Sequence, residues 1–459
     1  MPKRGDCLFP HFNIRLKGFV FCDFLEKEKI EKRFIEFDKK KLLKLISHNK
    51  IRGYKMNLSE IMNSRFEATP IPSLTGDAGK DVESIIQWLL EFSLLKDFVY
   101  RNPDREKGKE FSDAVAIYDD IIIIIQIKTQ KSSRNPIGWA EKNLQKAIKQ
   151  LNGSFRMLSE GIVTEFKNEV LGTKIKIDLA KHKCIYGVII LAQSSQPYNP
   201  LNFISQSNWP KIPFNIYSLN DFEITCRRMT TAGDLIVYIE LRWDAKDEIK
   251  ILINDEENNM LKIAPLLPQL LRNSSFRKLE LSKQENTIKI YSKKLKEEIM
   301  LDPDFKYSLL VDDIISRAHD IDISVFGDSE DVKNSAHKIA ICLGYLTRER
   351  RIRIGKKILE FAIKAKDGRV HKFVHLQKPI KQIYLYIFGL IDQKDLGEYL
   401  KALCAAAQVK YGYNKVLGIL TEPIGNGRSY SFVFLEKKHF PSSVQVPDDI
   451  LKQLPDLCT

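Results

Sequence analysis

Residues 116–130 read AIYDDIIIIIQIKTQ. Five consecutive isoleucines have the branching and hydrophobicity of a strand buried on both faces. An Asp-Asp pair precedes the run and Gln126-Ile127-Lys128 closes it. Aspartate favours turns, because its short side chain bonds nearby backbone. A second apolar piece, SDAVAIY at 112–118, lies on the far side of that pair. Together the two pieces predict a hairpin turning at Asp119-Asp120, with Tyr118 paired to Ile121. This register sets Asp113 opposite Gln126. Cross-strand partners share a face of the sheet, as does the residue two further along. Asp113, Gln126 and Lys128 are therefore expected to emerge together where the apolar stretch ends.

Upstream, TPIPSLTGDAG (69–79) is a loop punctuated by Pro, Gly and Thr. In GKDVESIIQWLLEF (79–92), Val82, Ile85, Ile86, Leu89 and Leu90 recur at helical spacing. DFVYRN (97–102) reads as a strand leading into the hairpin. Downstream, 138–152 reads as a helix and KCIYGVIILAQ (183–193) as a buried strand. PFNIYSLNDFEITCRRM (213–229) is a strand entering a helix capped by Ser218 or Asn220. The order helix–strand–strand–strand–helix–strand predicts an α/β class with a mixed central sheet.

Around that core the chain of 459 residues divides by character. Residues 1–75 form an N-terminal extension with a charged helical stretch near 25–47. A boundary is expected near 245, where DAKDEIKILINDEENNMLKI (244–263) turns acidic and polar. This gives 1–75, 76–245 and 246–459. The last region reads as mostly helical to about 375, then as a small α+β unit. Its pieces are a strand at 381–388, a helix at 395–412 and a hairpin of KVLGILTE and SYSFVFLE around PIGNGR (423–428).

Composition narrows the function classes. With 44% hydrophobic and 29% charged residues the chain is globular. No apolar run reaches the roughly 20 residues of a membrane span, and the charged N-terminus lacks a signal-peptide pattern. A cytoplasmic protein with no membrane partner is expected. The seven cysteines, at 7, 22, 184, 226, 342, 404 and 458, form no C-x-x-C pair. That speaks against a disulfide framework and a cysteine zinc site. The formal charge of +14 suits a polyphosphate partner, but also a lysine-rich solvated surface.

Phosphodiester hydrolysis gives the Asp113 face its chemical sense. Such chemistry needs hard oxygen ligands for Mg²⁺ or Mn²⁺, and an ammonium to orient water and offset developing charge. Asp113, the Gln126 amide and Lys128 supply these groups. Glu83, on the flank of the upstream helix's apolar face, is the candidate third oxygen ligand, with Gln87 one turn on. Gln150, in KNLQKAIKQL, is a candidate auxiliary residue.

On GKDVE with Glu83, FSDAVAIYDD with Asp113, IIQIKTQ with Gln126 and Lys128, and KNLQKAIKQL with Gln150, residues 76–195 resemble the PD-(D/E)XK nuclease superfamily. In particular they resemble its Mrr-like restriction-endonuclease branch. The resemblance implies a restriction-endonuclease-like αβββαβ core, a divalent metal and nucleic-acid cleavage; DNA is expected as substrate ahead of RNA. A prokaryotic defence or DNA-processing setting follows by analogy, and a homodimer would suit a double-strand cut. Two departures stand out. Ser112 precedes Asp113 where the superfamily has proline, and Gln126 replaces the usual acid. The alternatives are an inactive nuclease-fold nucleic-acid-binding protein and a basic scaffold.

Other motifs say less. TGDAGKD (75–81) does not meet the phosphate-loop pattern. His371 and His375 stand four apart, but no H-E-x-x-H accompanies them. In TRERRIRIGKK (347–357), Arg350, Arg353 and Lys357 would share one helical face and could contact a phosphate backbone. IGNGRSY (424–430) reads as a hairpin loop.

Overall fold

The computed structural model describes residues 72–101, 111–118, 120–130, 135–168, 174–179, 182, 184–193, 196–204, 209–263, 304–319, 330–364, 371–377, 382–388, 393–413, 415–424, 427–436, 451 and 454. The extension expected before residue 72 lies outside them, as does Asp119. The described residues form two compact units, one from 63–305 with 344–350, the other from 306–343 and 351–459.

The first unit opens with helix α1 (Ala78–Leu94). A 3₁₀ turn at Lys96–Phe98 replaces the start of the strand expected at 97, leaving β1 as Val99–Arg101. Strands β2 (Ala114–Tyr118) and β3 (Ile121–Thr129) follow. Tyr118 pairs with Ile121 and Ala114 with Ile125, the register read from the turn residues. Ile121 to Ile125 are all 8% exposed or less. Burying each side chain contributes about 1.5–3 kcal/mol, so the run anchors the centre of the sheet.

Helix α2 (Pro136–Ser159) begins at Asn135, whose side chain caps the Gly138 N–H at 3.0 Å. It runs seven residues beyond the end expected at 152. Ala140, Leu144, Ala147, Leu151, Ser154 and Leu158 continue one buried stripe through Gly153, and packing outweighs the roughly 1 kcal/mol helix cost of that glycine. A short hairpin, β4 (Glu165–Lys167) with β5 (Lys174–Lys176), precedes β6 (Cys184–Ala192) and β7 (Phe214–Ser218). The sheet order is β1-β2-β3-β6-β7. β1–β2 and β2–β3 pair antiparallel, while β3–β6 and β6–β7 pair parallel. Gly187 lets α2 approach β6: a Cβ there would sit 2.4 Å from Leu151.

The two faces have separate cores. Val115, Ile117, Ile122, Ile124, Ile189 and Phe214 pack with Leu144, Ile148 and Leu151 of α2. α1 packs on the opposite face with α3 (Leu219–Arg228) and α4 (Ala232–Asp244). Ser218 caps α3 in a capping box with Asp221.

This unit continues past the boundary expected near 245. Asp221 accepts the N–H groups of Asn254 and Glu256 at 2.6 and 3.2 Å. Glu256 opens α5 (Glu256–Ile263) and meets Arg242 twice, at 3.0 and 3.2 Å. Tyr238 and Asn259 also donate to it. Burial alone would lower the Arg242 pKa, but its surroundings, with the Glu256 carboxylate first among them, together reverse this and keep the guanidinium charged. The acidic stretch read as a domain edge is thus partly core. The later segment 344–350 belongs to this unit too. Tyr345 donates to the Tyr118 carbonyl and Asp120, both at 3.2 Å. Arg348 donates to the Thr230 carbonyl at 2.8 Å.

The second unit contains α6 (Phe305–His319), α7 (Glu330–Gly344) and α8 (Arg348–Lys364), counting their residues on its side of 305, 343 and 351. β8 (His371–Gln377), β9 (Gln382–Phe388), α9 (Gln393–Tyr411), β10 (Lys415–Ile424) and β11 (Gly427–Glu436) complete it. The sheet order is β11-β10-β9-β8, with β9 and β10 parallel and the outer pairs antiparallel. The expected C-terminal hairpin is β10–β11. His371 and His375 lie on strand β8 rather than on a helix. No described helix is long and apolar enough to cross a membrane.

Candidate active site

The hairpin register carries on one step beyond the β2–β3 ladder. The Asp113 N–H donates to the Ile125 carbonyl at 3.2 Å, which sets Asp113 across from Gln126. Ser112, 2% exposed, bonds the Ala114 carbonyl at 3.1 Å and helps fix the entry to β2. Val115 and Ile117 share a face with Asp113, and Ile122 and Ile124 share one with Gln126 and Lys128; all four apolar residues lie in the α2-side core. Asp113, Gln126 and Lys128 therefore stand on the α2 face of the sheet.

Their contacts are specific. Asp113 Oδ2 accepts the Ile127 N–H at 2.5 Å and lies 3.7 Å from Lys128 Nζ. The two side chains are 14% and 12% exposed. Lys128 Nζ also donates to the Ile127 carbonyl at 2.6 Å. The lysine is thus folded back onto the end of β3 and does not stream into solvent. Gln126 differs from the expectation of a polar opening: it is 2% exposed, and its Nε2 faces Ser154 Oγ of α2 at 3.5 Å. Ser154 donates toward the Phe111 carbonyl and the Gln150 carbonyl, the latter at 3.0 Å.

The remaining candidates sit elsewhere. Glu83 is exposed on α1, and Gln87 is buried and donates to Glu91 at 2.7 Å. α1 packs against the face opposite α2, so its own periodicity does not bring these two to the Asp113 face. The Gln150 side chain is exposed; only its backbone carbonyl takes part, through Ser154. Among the described residues, no three His, Cys, Asp or Glu side chains gather into a metal-holding group. On α8, Arg353 and Lys357 are exposed, Lys357 pairs with Glu360 at 2.8 Å, and Arg350 is half-buried. On the same helix Arg348 and Arg351 are buried, 3% and 1% exposed, and Arg351 pairs with Asp312.

The TGDAGKD loop is a helix cap. Asp77 accepts from the Gly79 N–H at 2.9 Å. Asp81 accepts from the Thr75 and Gly76 N–H groups at 2.7 and 3.0 Å, and these bonds hold its carboxyl below the usual carboxylate range. The donors a phosphate would use are taken.

Sequence reasoning missed Ser154. Its one signal was a polar residue on the apolar stripe of α2, at the spacing set by Leu144, Ala147 and Leu151.

Compared with models of known protein families, the chain matches none, and no curated protein sequence matches it.

Proposed function

We propose that the first unit is a metal-dependent nuclease of PD-(D/E)XK type that hydrolyses phosphodiester bonds, in DNA before RNA. The observation that carries this reading is the Asp113–Lys128 pair, 3.7 Å apart at the mouth of a buried hairpin, with Gln126 on the same face. The order α1-β1-β2-β3-α2-β6 supports a restriction-endonuclease-like core around it.

The donor set is all oxygen. Asp113 offers a carboxylate and Gln126 an amide carbonyl, which fits Mg²⁺ or Mn²⁺ held by few protein ligands and several waters. Such an ion, when bound, polarises a phosphate and lowers the pKa of water. Lys128 has a different task. Its ammonium, released from Asp113 toward substrate, would orient the attacking water and offset charge on the phosphate oxygens. Exposed Arg353 and Lys357, with half-buried Arg350, would add sequence-independent phosphate contacts.

The test uses the full chain with duplex DNA and with single-stranded RNA, in Mg²⁺ and in Mn²⁺. Cutting that disappears in Asp113→Ala and Lys128→Ala, while binding survives, supports the reading. No cutting of either substrate with either metal overturns it. Two observations favour a second reading, a nuclease fold that binds nucleic acid without cutting: the neutral Gln126 and the lack of an acidic trio among the described residues. That reading predicts no hydrolysis and an affinity that falls steeply with salt.

A further inference from the structure

A carboxylate presents oxygen whichever way it turns, whereas an amide presents oxygen on one edge only. The glutamine at position 126 therefore creates a need that an acid would not have: its amide must be held with the carbonyl toward the ion. The surroundings of Gln126 meet this need through one residue. Ser154 is 1% exposed and faces Gln126 from α2. A hydroxyl has one proton to donate and two lone pairs. The Ser154 proton has two carbonyls within reach, those of Phe111 and Gln150. Toward Gln126 its oxygen is left to act as acceptor, so the amide turns its NH₂ to Ser154 and its oxygen away. Among the described residues no donor bonds that oxygen.

We propose that Ser154 is a positioning residue of the candidate site, fixing the Gln126 amide so that its carbonyl oxygen serves as the neutral ligand beside Asp113. This rests on the metal-dependent reading above. The Nε2–Oγ separation of 3.5 Å is long for a hydrogen bond, and the contact tightens when the oxygen is engaged, as pre-organised contacts do on ligand binding.

The experiment is Mn²⁺ binding to the full chain, read by calorimetry and by the paramagnetic resonance of the free ion, with cutting rates and thermal melts in parallel. Ser154→Ala weakens Mn²⁺ binding about fivefold, the worth of one ordinary hydrogen bond. Ser154→Cys, nearly isosteric but a poor acceptor, does the same and serves if the alanine variant folds badly. Ser154→Thr, which keeps the hydroxyl, restores affinity to within about twofold. In a Gln126→Glu background, where either oxygen can bind, Ser154→Ala has no further effect. Equal weakening in both backgrounds would mean a merely structural role and overturns the assignment. So does wild-type affinity in Ser154→Ala and Ser154→Cys. Loss of Mn²⁺ binding in Asp113→Ala alongside either result shows that the metal reading stands while the Ser154 assignment falls. A wild-type chain that binds no Mn²⁺ sinks both.

Discussion

Replacing Asp113 separates a structural role from a chemical one, because asparagine and alanine remove different things. The carboxylate accepts the Ile127 N–H at 2.5 Å and faces Lys128 at 3.7 Å. A hydrogen bond to a charged group contributes about 1.5–3 kcal/mol. The attraction to lysine is about 4 kcal/mol at that separation in an effective dielectric of about 20. Desolvating two mostly buried charges offsets most of it, leaving about 1 kcal/mol. Asp113→Ala loses both contributions, roughly 2–4 kcal/mol. Asp113→Asn keeps an oxygen for the Ile127 N–H and loses only the charge, about 1 kcal/mol. In a domain this size each kcal/mol moves Tm by about 2–4 °C. The alanine variant should therefore melt roughly 4–16 °C low and the asparagine variant only about 2–4 °C low. Activity divides differently. On the proposed mechanism both substitutions remove the carboxylate that would hold the ion, worth several kcal/mol to the transition state, so cutting should fall at least about 100-fold in each. The assay is cleavage of labelled duplex DNA in Mg²⁺, beside thermal melts of the same preparations. An asparagine variant that cuts within about threefold of the wild type would refute the assignment of Asp113 as a ligand. An alanine variant that melts with the wild type would refute the hydrogen-bond argument.

Three further outcomes are expected. Arg242→Ala strands the buried Glu256 carboxylate and should cost about 3–5 kcal/mol in urea unfolding; an unchanged midpoint would contradict the pairing at 3.0 and 3.2 Å. Gly355→Ala should lower Tm, because its Cβ would lie 1.9 Å from the Tyr307 carbonyl oxygen where α8 approaches α6. Overpacking costs about 1–3 kcal/mol, whereas helix propensity alone would stabilise by about 1 kcal/mol, so the sign of the shift decides between them. Burial pushes the Cys226 thiol up to about 12, leaving roughly one part in ten thousand as thiolate at pH 8. Peptide mapping after iodoacetamide treatment at that pH should find Cys226 unmodified in the folded chain and alkylated in urea; labelling of the folded chain would show that the site opens.

The parts of the fold legible in the sequence are those whose information is local. β3 starts where the apolar run does, at Ile121 after the turn residues, and carries on through Gln126 and Lys128 to Thr129. The β2–β3 register followed from the turn alone, since a one-residue slip would have reversed the face of every isoleucine. Helix α4 went unread. Its polar Thr231 cap and buried Asp234 and Arg242 break the amphipathic pattern, and only contacts with Glu256 and Arg348, 14 and 114 residues away, give those groups a reason to be inside. The boundary near 245 failed for the same reason: acidic residues read as surface when their buried partners are out of view.

The candidate site shows the same limit at the scale of one face. Asp113, Gln126 and Lys128 could be brought together on paper because two strands joined by a turn have one register. Glu83 could not, because a helix's periodicity shows which of its sides is buried but not which face of the sheet receives it. Charge counting has a parallel weakness. Of the arginines in TRERRIRIGKK, Arg348 and Arg351 are committed inside, to Thr230 and Asp312. The charge that run presents at the surface is therefore smaller than its sequence suggests. α2, by contrast, exposes Lys142, Lys146, Lys149 and Arg156, spaced along the side away from the buried stripe. If nucleic acid approaches the Asp113 face, its phosphates should be drawn by the helix that holds Ser154. Neutralising the α2 cations should then flatten the salt dependence of binding.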